Sequence, residues 1–219
     1  MTDDTSTQGR YHNLIEVNSD RARFAGETGH AAAFTYSYGA TDALDLNGNV
    51  PVSLSSPSGK GDLSLGAKWR FWQSPQSSLA IKPELFLPTG NQLRGLGNGS
   101  PSLGITLLTS HTFGRWGFDG NIGFTANRYK VPPFDDARHL VVWRASAAVA
   151  YSLSARWVVV ADTGIARNIE KAAKTNPAFI LFGAIYSPRQ NVDIDIGIKA
   201  GLNAAEVDRQ VGASLTVRF

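Results

Sequence analysis

The sequence alternates apolar and polar residues with a period of two, in one segment after another. In residues 192–202 every second residue is apolar, and the residues between them are Asp, Gly or Lys. Residues 62–72, 116–127, 141–152 and 209–219 repeat the pattern. A period of two is typical of β-strands whose two faces meet different environments. The sequence therefore predicts an all-β fold.

The links between these strands alternate in length along the chain. Short links are predicted near residues 39–41, 73–76, 114–115, 153–154 and 188–190. Longer links are predicted near residues 18–29, 52–60, 90–99, 129–138, 169–175 and 203–208. Outer-membrane barrels have short turns at one end and long loops at the other. We therefore predict a closed, antiparallel, up-and-down transmembrane β-barrel of about 12 strands, with both termini at the short-turn end.

The predicted barrel occupies residues 11–219 as a single domain, after a flexible N-terminal segment of residues 1–10. The phase of the alternation is ambiguous in residues 11–17 and 176–187, and whether residues 11–17 form a strand is left open. Residues 1–6 are polar and acidic and lack the apolar core of a signal peptide. We expect a mature outer-membrane chain whose signal peptide has been removed. A cytosolic protein without a signal stays an alternative.

The apolar faces of the strands are predicted to meet membrane lipid. Charged residues make up 18% of the chain, below the quarter or so that is usual in soluble domains. The polar faces carry Gly, Ser, Thr, Asn and isolated charges, whereas a water-facing surface is dense in Lys and Glu. Aromatic side chains collect at the short-turn ends, at Tyr38, Phe71, Phe113, Trp116, Tyr151, Trp157, Tyr186 and Phe219. Such a girdle is expected where a barrel meets the membrane–water interface.

The composition argues against several classes of function. The chain has no cysteine, which excludes thiol nucleophiles and cysteine-based metal sites. The net charge is +3 without a basic block, so we expect no nucleic-acid partner. The four histidines, His12, His30, His111 and His139, lack metal-ligand spacing. No Gly-x-Ser-x-Gly motif occurs, and we expect no catalytic residues, metal or cofactor.

Several short segments resemble a known family. They are residues 61–69, 83–90, 101–105, 195–203 and 212–219. They resemble the outer-membrane transporter family associated with meta-cleavage pathways of phenol degradation. The resemblance extends from about residue 30 to the end of the chain, and it implies a barrel that takes up small organic molecules, including aromatic ones. The terminal Phe219 is also similar to the assembly signal of outer-membrane barrels, which implies the assembly machinery as a partner.

With the apolar faces against lipid, the charged side chains of the opposite faces are predicted to line the lumen. The candidates are Lys68, Arg70, Lys82, Glu84, Asp119, Arg144, Asp162, Asp193, Asp195, Lys199 and Arg218. The turn positions place Arg144 near Asp162, and Asp193 near Arg218. We interpret these two pairs as a cross-strand network that neutralises the interior, with solute selection as the alternative.

The turn predicted near residues 73–76 sets Lys68 beside Lys82, with Glu84 one step away on the diagonal. Two like charges facing each other need a reason, so we interpret this pair as a determinant of ion selectivity. Simple neutralisation of the two lysines by Glu84 is the alternative.

These observations together favour a passive, porin-like channel for small organic solutes, aromatic or ionised, with membrane lipid and the solute as partners. Two alternatives remain open, namely an outer-membrane lipid-modifying enzyme and a structural barrel with a blocked lumen. Residues 95–101 are predicted to form a glycine-rich loop, since the Lys and helix of a phosphate-binding loop are missing. Residues 132–136 are also predicted to form a loop. Contact of this loop with solute or calcium is a minor alternative.

Overall fold

The computed structural model describes residues 1–130 and 137–219, so the loop predicted at residues 132–136 lies outside the described residues. In the described part, thirteen strands follow one another: β1 Asn13–Phe24, β2 Glu27–Thr41, β3 Leu44–Ser53, β4 Gly59–Lys60, β5 Leu63–Gln73, β6 Ser77–Leu87, β7 Ser102–Phe113, β8 Trp116–Ala126, β9 Val141–Ser152, β10 Trp157–Ala166, β11 Ala178–Arg189, β12 Val192–Gly201 and β13 Arg209–Arg218. A single turn of 3-10 helix covers Gln92–Arg94.

Twelve of these strands form a closed antiparallel barrel, as predicted. Each pairs with its neighbours in the chain, and β1 pairs with β13 through contacts such as Leu14 opposite Arg218. The short β4 pairs only with the end of β3, whose main partners are β2 and β5. Closure leaves no open sheet edge, which is the condition for a sheet to cross a bilayer. Among the described residues, no helix has the length and apolarity needed for a membrane crossing.

The apolar faces of the strands point outward. Phe182, Ile196 and Ile198 are each about 60% exposed. The buried apolar side chains of the described residues are few and small in total volume, namely Leu14, Ala80, Leu108, Ala148 and Leu181. A water-soluble barrel would bury its apolar face inside, and a membrane barrel presents it to lipid. The predicted orientation of the two faces is therefore confirmed.

Aromatic rings form a girdle at the short-turn end. Trp116 and Tyr151 adjoin across β8 and β9, with ring centroids 4.6 Å apart, and Trp157 and Tyr186 adjoin across β10 and β11 at 4.7 Å. Phe219 follows β13 at the same end and is exposed. Rings with one apolar and one wet side are suited to the boundary between hydrocarbon and water.

The connection between the first two strands differs from the prediction. We expected a long link near residues 18–29, but β1 continues to Phe24 and a two-residue turn at Ala25 and Gly26 leads into β2. Both turn residues have positive φ, as a tight hairpin turn requires. The outward face of this hairpin carries Ser19 and Arg21 instead of apolar residues, so the alternation that marks a lipid-facing strand is lost there. The segment 11–17, whose phase was ambiguous, thus contains the beginning of a true strand, since β1 starts at Asn13.

Candidate functional site

All the predicted lumen residues lie on the inward face of their strands, opposite the exposed apolar side chains. Lys68, for example, lies between Ala67 and Trp69, and Trp69 is exposed on the outside. Most of the inward charges have partners on the wall: Arg70 donates to the Asp42 carbonyl, Asp119 accepts from Ser110, Asp195 accepts from Ser214, and Lys199 pairs with Glu206. The lumen is therefore polar, with its charges held by neighbouring groups.

Lys68 and Lys82 lie opposite each other on β5 and β6, as the predicted turn required. The pairs on either side of them, Gly66 with Glu84 and Trp69 with Ile81, fix this register. The Glu84 carboxylate lies 3.6 Å from the Lys82 ammonium and 3.7 Å from the Arg144 guanidinium. Two lysines, one arginine and one glutamate therefore share one level of the lumen wall.

The two predicted cross-strand ion pairs have different outcomes. Arg218 donates to Asp193 at 2.7 Å, as expected. The pairing of Arg144 with Asp162 was wrong, because Ala148 lies opposite Asp162 and Ala166 lies opposite Arg144. The turn between β9 and β10 spans residues 153–156 instead of 153–154. Ser152 pairs with Val158, and the partner of Arg144 is therefore Ala166, four residues beyond Asp162. Arg144 contacts Glu84 instead.

Residues 2–10 precede the first strand and cross the lumen; we call them the N-terminal strap. At one end, the Gln8 amide donates to both carboxylate oxygens of Asp45 on β3, at 3.1 and 3.0 Å. At the other end, the Thr2 amide and hydroxyl donate to Asp162 on β10, at 2.9 and 2.7 Å. The strap therefore passes from one side of the barrel to the other, from Asp45 beside a short turn to Asp162 in the middle of β10.

The lysine pair holds residues 3–6 of the strap. Asp3 accepts from the Lys68 ammonium at 2.9 Å through one carboxylate oxygen and from the Lys82 ammonium at 3.3 Å through the other. Lys68 also donates to the carbonyl oxygens of Asp4 and Ser6. The like charges that face each other on β5 and β6 are thus bridged by a carboxylate from the same chain.

The ionised form of Asp3 is favoured in this position. Burial raises the pKa of its carboxyl, but the ammonium groups of Lys68 and Lys82 act in the opposite direction and together hold the pKa below its ordinary value. The pair of contacts therefore stabilises the docked strap above the ordinary Asp pKa, near 3.9, for as long as the two lysines stay protonated. That stabilisation is lost as the pH falls through the lowered pKa.

Thr5 is buried against the wall beside the lysines. Its amide donates to the Ser110 hydroxyl at 3.0 Å, and its own hydroxyl lies 2.5 Å from that of Ser78. Ala80 and Leu108, which lie directly opposite each other on β6 and β7, have no exposed surface. Because Ala80 lies between Ser78 and Lys82 on the same face, the strap covers this small apolar part of the wall.

The strap contains the site residues that the sequence reasoning missed. We expected residues 1–10 as a flexible segment, and residues 2–10 make the lumen contacts described above. Asp3, and the Asp45 that accepts from the Gln8 amide, were not among the candidates. The signal for Asp3 was present in the sequence, because an acidic segment precedes a barrel in which two lysines face each other with only Glu84 predicted beside them.

The loop between β6 and β7 narrows the opposite, long-loop end. The amides of Gly90 and Asn98 donate to the Asp62 carboxylate at 2.9 and 2.8 Å. Residues 95–101 are a loop, as predicted. Between this loop and the wall lies a cavity of about 420 Å³, lined by residues that include Pro51, Ser64 and Phe86.

Two serine–histidine contacts bear on the enzyme alternative. Ser19 and His30 are 2.8 Å apart at the long-loop end, and Ser77 and His111 are 2.7 Å apart at the short-turn end. Both lie on outward faces. In the part of the chain that the structure describes, neither imidazole has a second partner to orient it, as a nucleophile's base requires. The described residues also contain no cluster of three metal-ligating side chains.

Solved structures similar to this fold are outer-membrane proteins. An outer-membrane channel from Pseudomonas putida F1 superposes with a TM-score of 0.75 at 15% identity, over 99% of this chain and 98% of that chain. The CymD monoaromatic hydrocarbon channel gives 0.57 at 10% identity, over 98% and 89%. The Pseudomonas putida toluene transporter TodX gives 0.54 at 12% identity, over 100% and 95%. At these identities the likeness shows the fold.

The sequence itself carries a family signature. Among curated proteins no similar sequence is found. The family described as the MetA-pathway of phenol degradation matches residues 3–219, from the strap to the terminal Phe219. This is the family that the short segments of residues 61–105 and 195–219 resembled. The chain belongs to the family of the MetA-pathway of phenol degradation.

Proposed function

We propose that the protein is a passive channel of the bacterial outer membrane that admits small organic solutes. One observation carries the proposal: a polar, charged lumen is crossed by a segment that lies outside the sheet and is held by side-chain hydrogen bonds and ion pairs. A wall that needed only to be rigid would have no use for charges that face a segment outside the sheet. Charged rings in a narrow lumen are the usual means by which channels select solutes.

The proposed solutes are small organic molecules, aromatic or ionised. The family is described by a pathway of phenol degradation, and two similar barrels are described as a monoaromatic hydrocarbon channel and a toluene transporter. The lumen of this chain adds charges at the level of Lys68, Lys82 and Arg144. Such charges suit polar or ionised solutes better than neutral hydrocarbons, because a hydrocarbon gains nothing from them and leaves them desolvated.

The expected result in a planar lipid bilayer is discrete current steps from the purified protein. The reason is that ions can cross a polar, water-filled lumen, either beside the bound strap or through the space that becomes free when the strap moves away. Heat-modifiable gel mobility in detergent serves as the control that the protein used is the folded barrel. A folded, inserted protein without current steps would favour the structural barrel with a blocked lumen. Phospholipid hydrolysis that is lost in His30→Ala would favour the lipid-modifying enzyme.

We also propose that Phe219 is the last residue of the signal read by the barrel-assembly machinery. Phe219 lies at the short-turn end and is paired in the sheet only through the Asn13 backbone. The change Phe219→Ala is expected to reduce the amount of heat-modifiable barrel in the outer membrane severalfold, measured by blotting cell envelopes. Phe113→Ala, which removes another exposed ring at the same end, is the matched control. Equal losses in both variants would show a general girdle effect instead of a terminal signal.

A further inference from the structure

We propose that Lys68 and Lys82 form a binding site for small organic monocarboxylates, and that Asp3 of the strap occupies this site as an internal substitute for the solute. The inference rests on the proposed channel function and specifies its class of solute. In the absence of solute the strap holds the site, and a solute carboxylate enters as Asp3 leaves.

The geometry around Asp3 is that of a bound carboxylate ligand. Each of its two oxygens accepts from a different ammonium group, at 2.9 Å from Lys68 and 3.3 Å from Lys82. Hydrogen bonds between ammonium and carboxylate groups are about twice as strong as those between neutral groups. The Lys68 side chain is only 12% exposed, so water screens this contact weakly. Any carboxylate that reaches this level of the lumen finds the same two donors.

The wall next to the lysines offers a place for the apolar part of such a solute. Ala80 lies two residues from Lys82 on the same face of β6, and Leu108 lies opposite Ala80 on β7. Both are completely buried while Thr5 lies against Ser78 and Ser110. When the strap leaves, this apolar surface is exposed beside two ammonium groups. A solute whose carboxylate binds the ammonium groups covers this apolar surface with its ring or alkyl group. The binding is favoured in proportion to the apolar area that is removed from water.

Glu84 limits the charge of the solute. Its carboxylate lies 3.6 Å from Lys82 and 3.7 Å from Arg144, so it already uses part of the positive charge at this level. A second carboxylate on the solute would lie close to Glu84 and be repelled. The site therefore favours monocarboxylates over dicarboxylates.

The strap and the solute compete for the same donors. Residues joined to the barrel by a short tether have an effective concentration in the millimolar range, so Asp3 is a competitor that solute at comparable concentration displaces. The apparent affinity for the solute is the intrinsic affinity multiplied by the fraction of time that the site is vacant. A site that is vacant about a tenth of the time binds solute about tenfold more weakly than the same site without Asp3.

The test uses 4-fluorobenzoate as the probe and the full-length protein in a zwitterionic detergent, with fluorine NMR line broadening as the measure of binding. Asp3→Ala is expected to bind the probe about tenfold more tightly than the unmodified chain. Asp208→Ala removes an exposed carboxylate from the loop between β12 and β13 and serves as the matched control with unchanged affinity. Lys68→Gln is expected to lose binding, and neutral 4-fluorobenzamide is expected not to bind above the level of empty micelles.

Three outcomes would overturn the proposal: equal affinity in Asp3→Ala and Asp208→Ala, retained binding in Lys68→Gln, or equal binding of the benzamide. Gel mobility confirms that each variant is folded. Because binding in detergent needs no conduction, the two proposals fail separately. A protein that conducts without binding 4-fluorobenzoate contradicts the carboxylate site alone, and a protein that binds it without conducting contradicts the channel alone.

Discussion

In a tenfold KCl gradient, the double substitution Lys68→Glu and Lys82→Glu is expected to move the reversal potential by tens of millivolts toward cation selectivity. Perfect selectivity for one monovalent ion corresponds to about 59 mV for a tenfold ratio, which bounds the shift on either side. The physical reason is the sign of the charge at one level of the lumen. Lys68, Lys82 and Arg144 there balance Asp3, Asp4 and Glu84, and the substitution leaves Arg144 as the one positive group among them. It also repels Asp3, so the strap is expected to leave the wall.

The single substitution Asp3→Asn tests the same charge balance by removing a negative charge instead of positive ones. It removes one negative charge with little change of shape, so the reversal potential is expected to move toward anion selectivity, by less than in the double variant. Lys174→Glu changes a lysine that is exposed in the loop between β10 and β11 and provides the control for a charge far from the lumen. If the double variant and the control have the same reversal potential, the lysine pair does not determine selectivity.

The level at which Lys68 and Lys82 meet could be predicted because one short turn fixes it. The link near residues 73–76 was recognised from its turn residues, and a hairpin's register follows from its turn. The same reasoning failed for Arg144 and Asp162, because a turn of two residues and one of four are both compatible with the Leu-Ser-Ala-Arg link at residues 153–156. Alternation tells which face a residue lies on, but a register error of four positions leaves every residue on the same face.

Two other features could not be predicted from periodicity. The outer part of the β1–β2 hairpin carries polar residues such as Ser19 on its outward face, so the contrast between faces that identifies a membrane strand is absent. The strap has no regular secondary structure, and its position depends on contacts that lie far apart in the sequence, such as Asp3 with Lys82 and Thr2 with Asp162. What the sequence offered was complementary charge, and charge alone does not show that a segment enters the lumen.

A disulfide between the strap and the wall is expected to make conductance depend on redox state. The chain has no cysteine, so Thr5→Cys with Ser78→Cys introduces the only possible pair. The two hydroxyl oxygens are 2.5 Å apart, and a disulfide bond of about 2.0 Å needs γ atoms that already adjoin. Oxidation should fix the strap across the lumen, and reduction with dithiothreitol should raise single-channel conductance severalfold, because the strap then leaves the lumen for part of the time.

A change of conductance can be attributed to the strap only with two controls, a variant with a single cysteine and a measure of how much disulfide has formed. Thr5→Cys alone cannot form the bond and should conduct equally before and after dithiothreitol, while thiol titration shows how much of the double variant is cross-linked. Equal conductance of fully oxidised and fully reduced double variant would show that the strap does not limit flow. Among the described residues, the loop between β6 and β7, held at the long-loop end by Asp62, would then be the next obstacle to test. A rise on reduction would instead show that residues 2–10 obstruct the lumen and leave it reversibly, as the competition between Asp3 and a solute carboxylate requires.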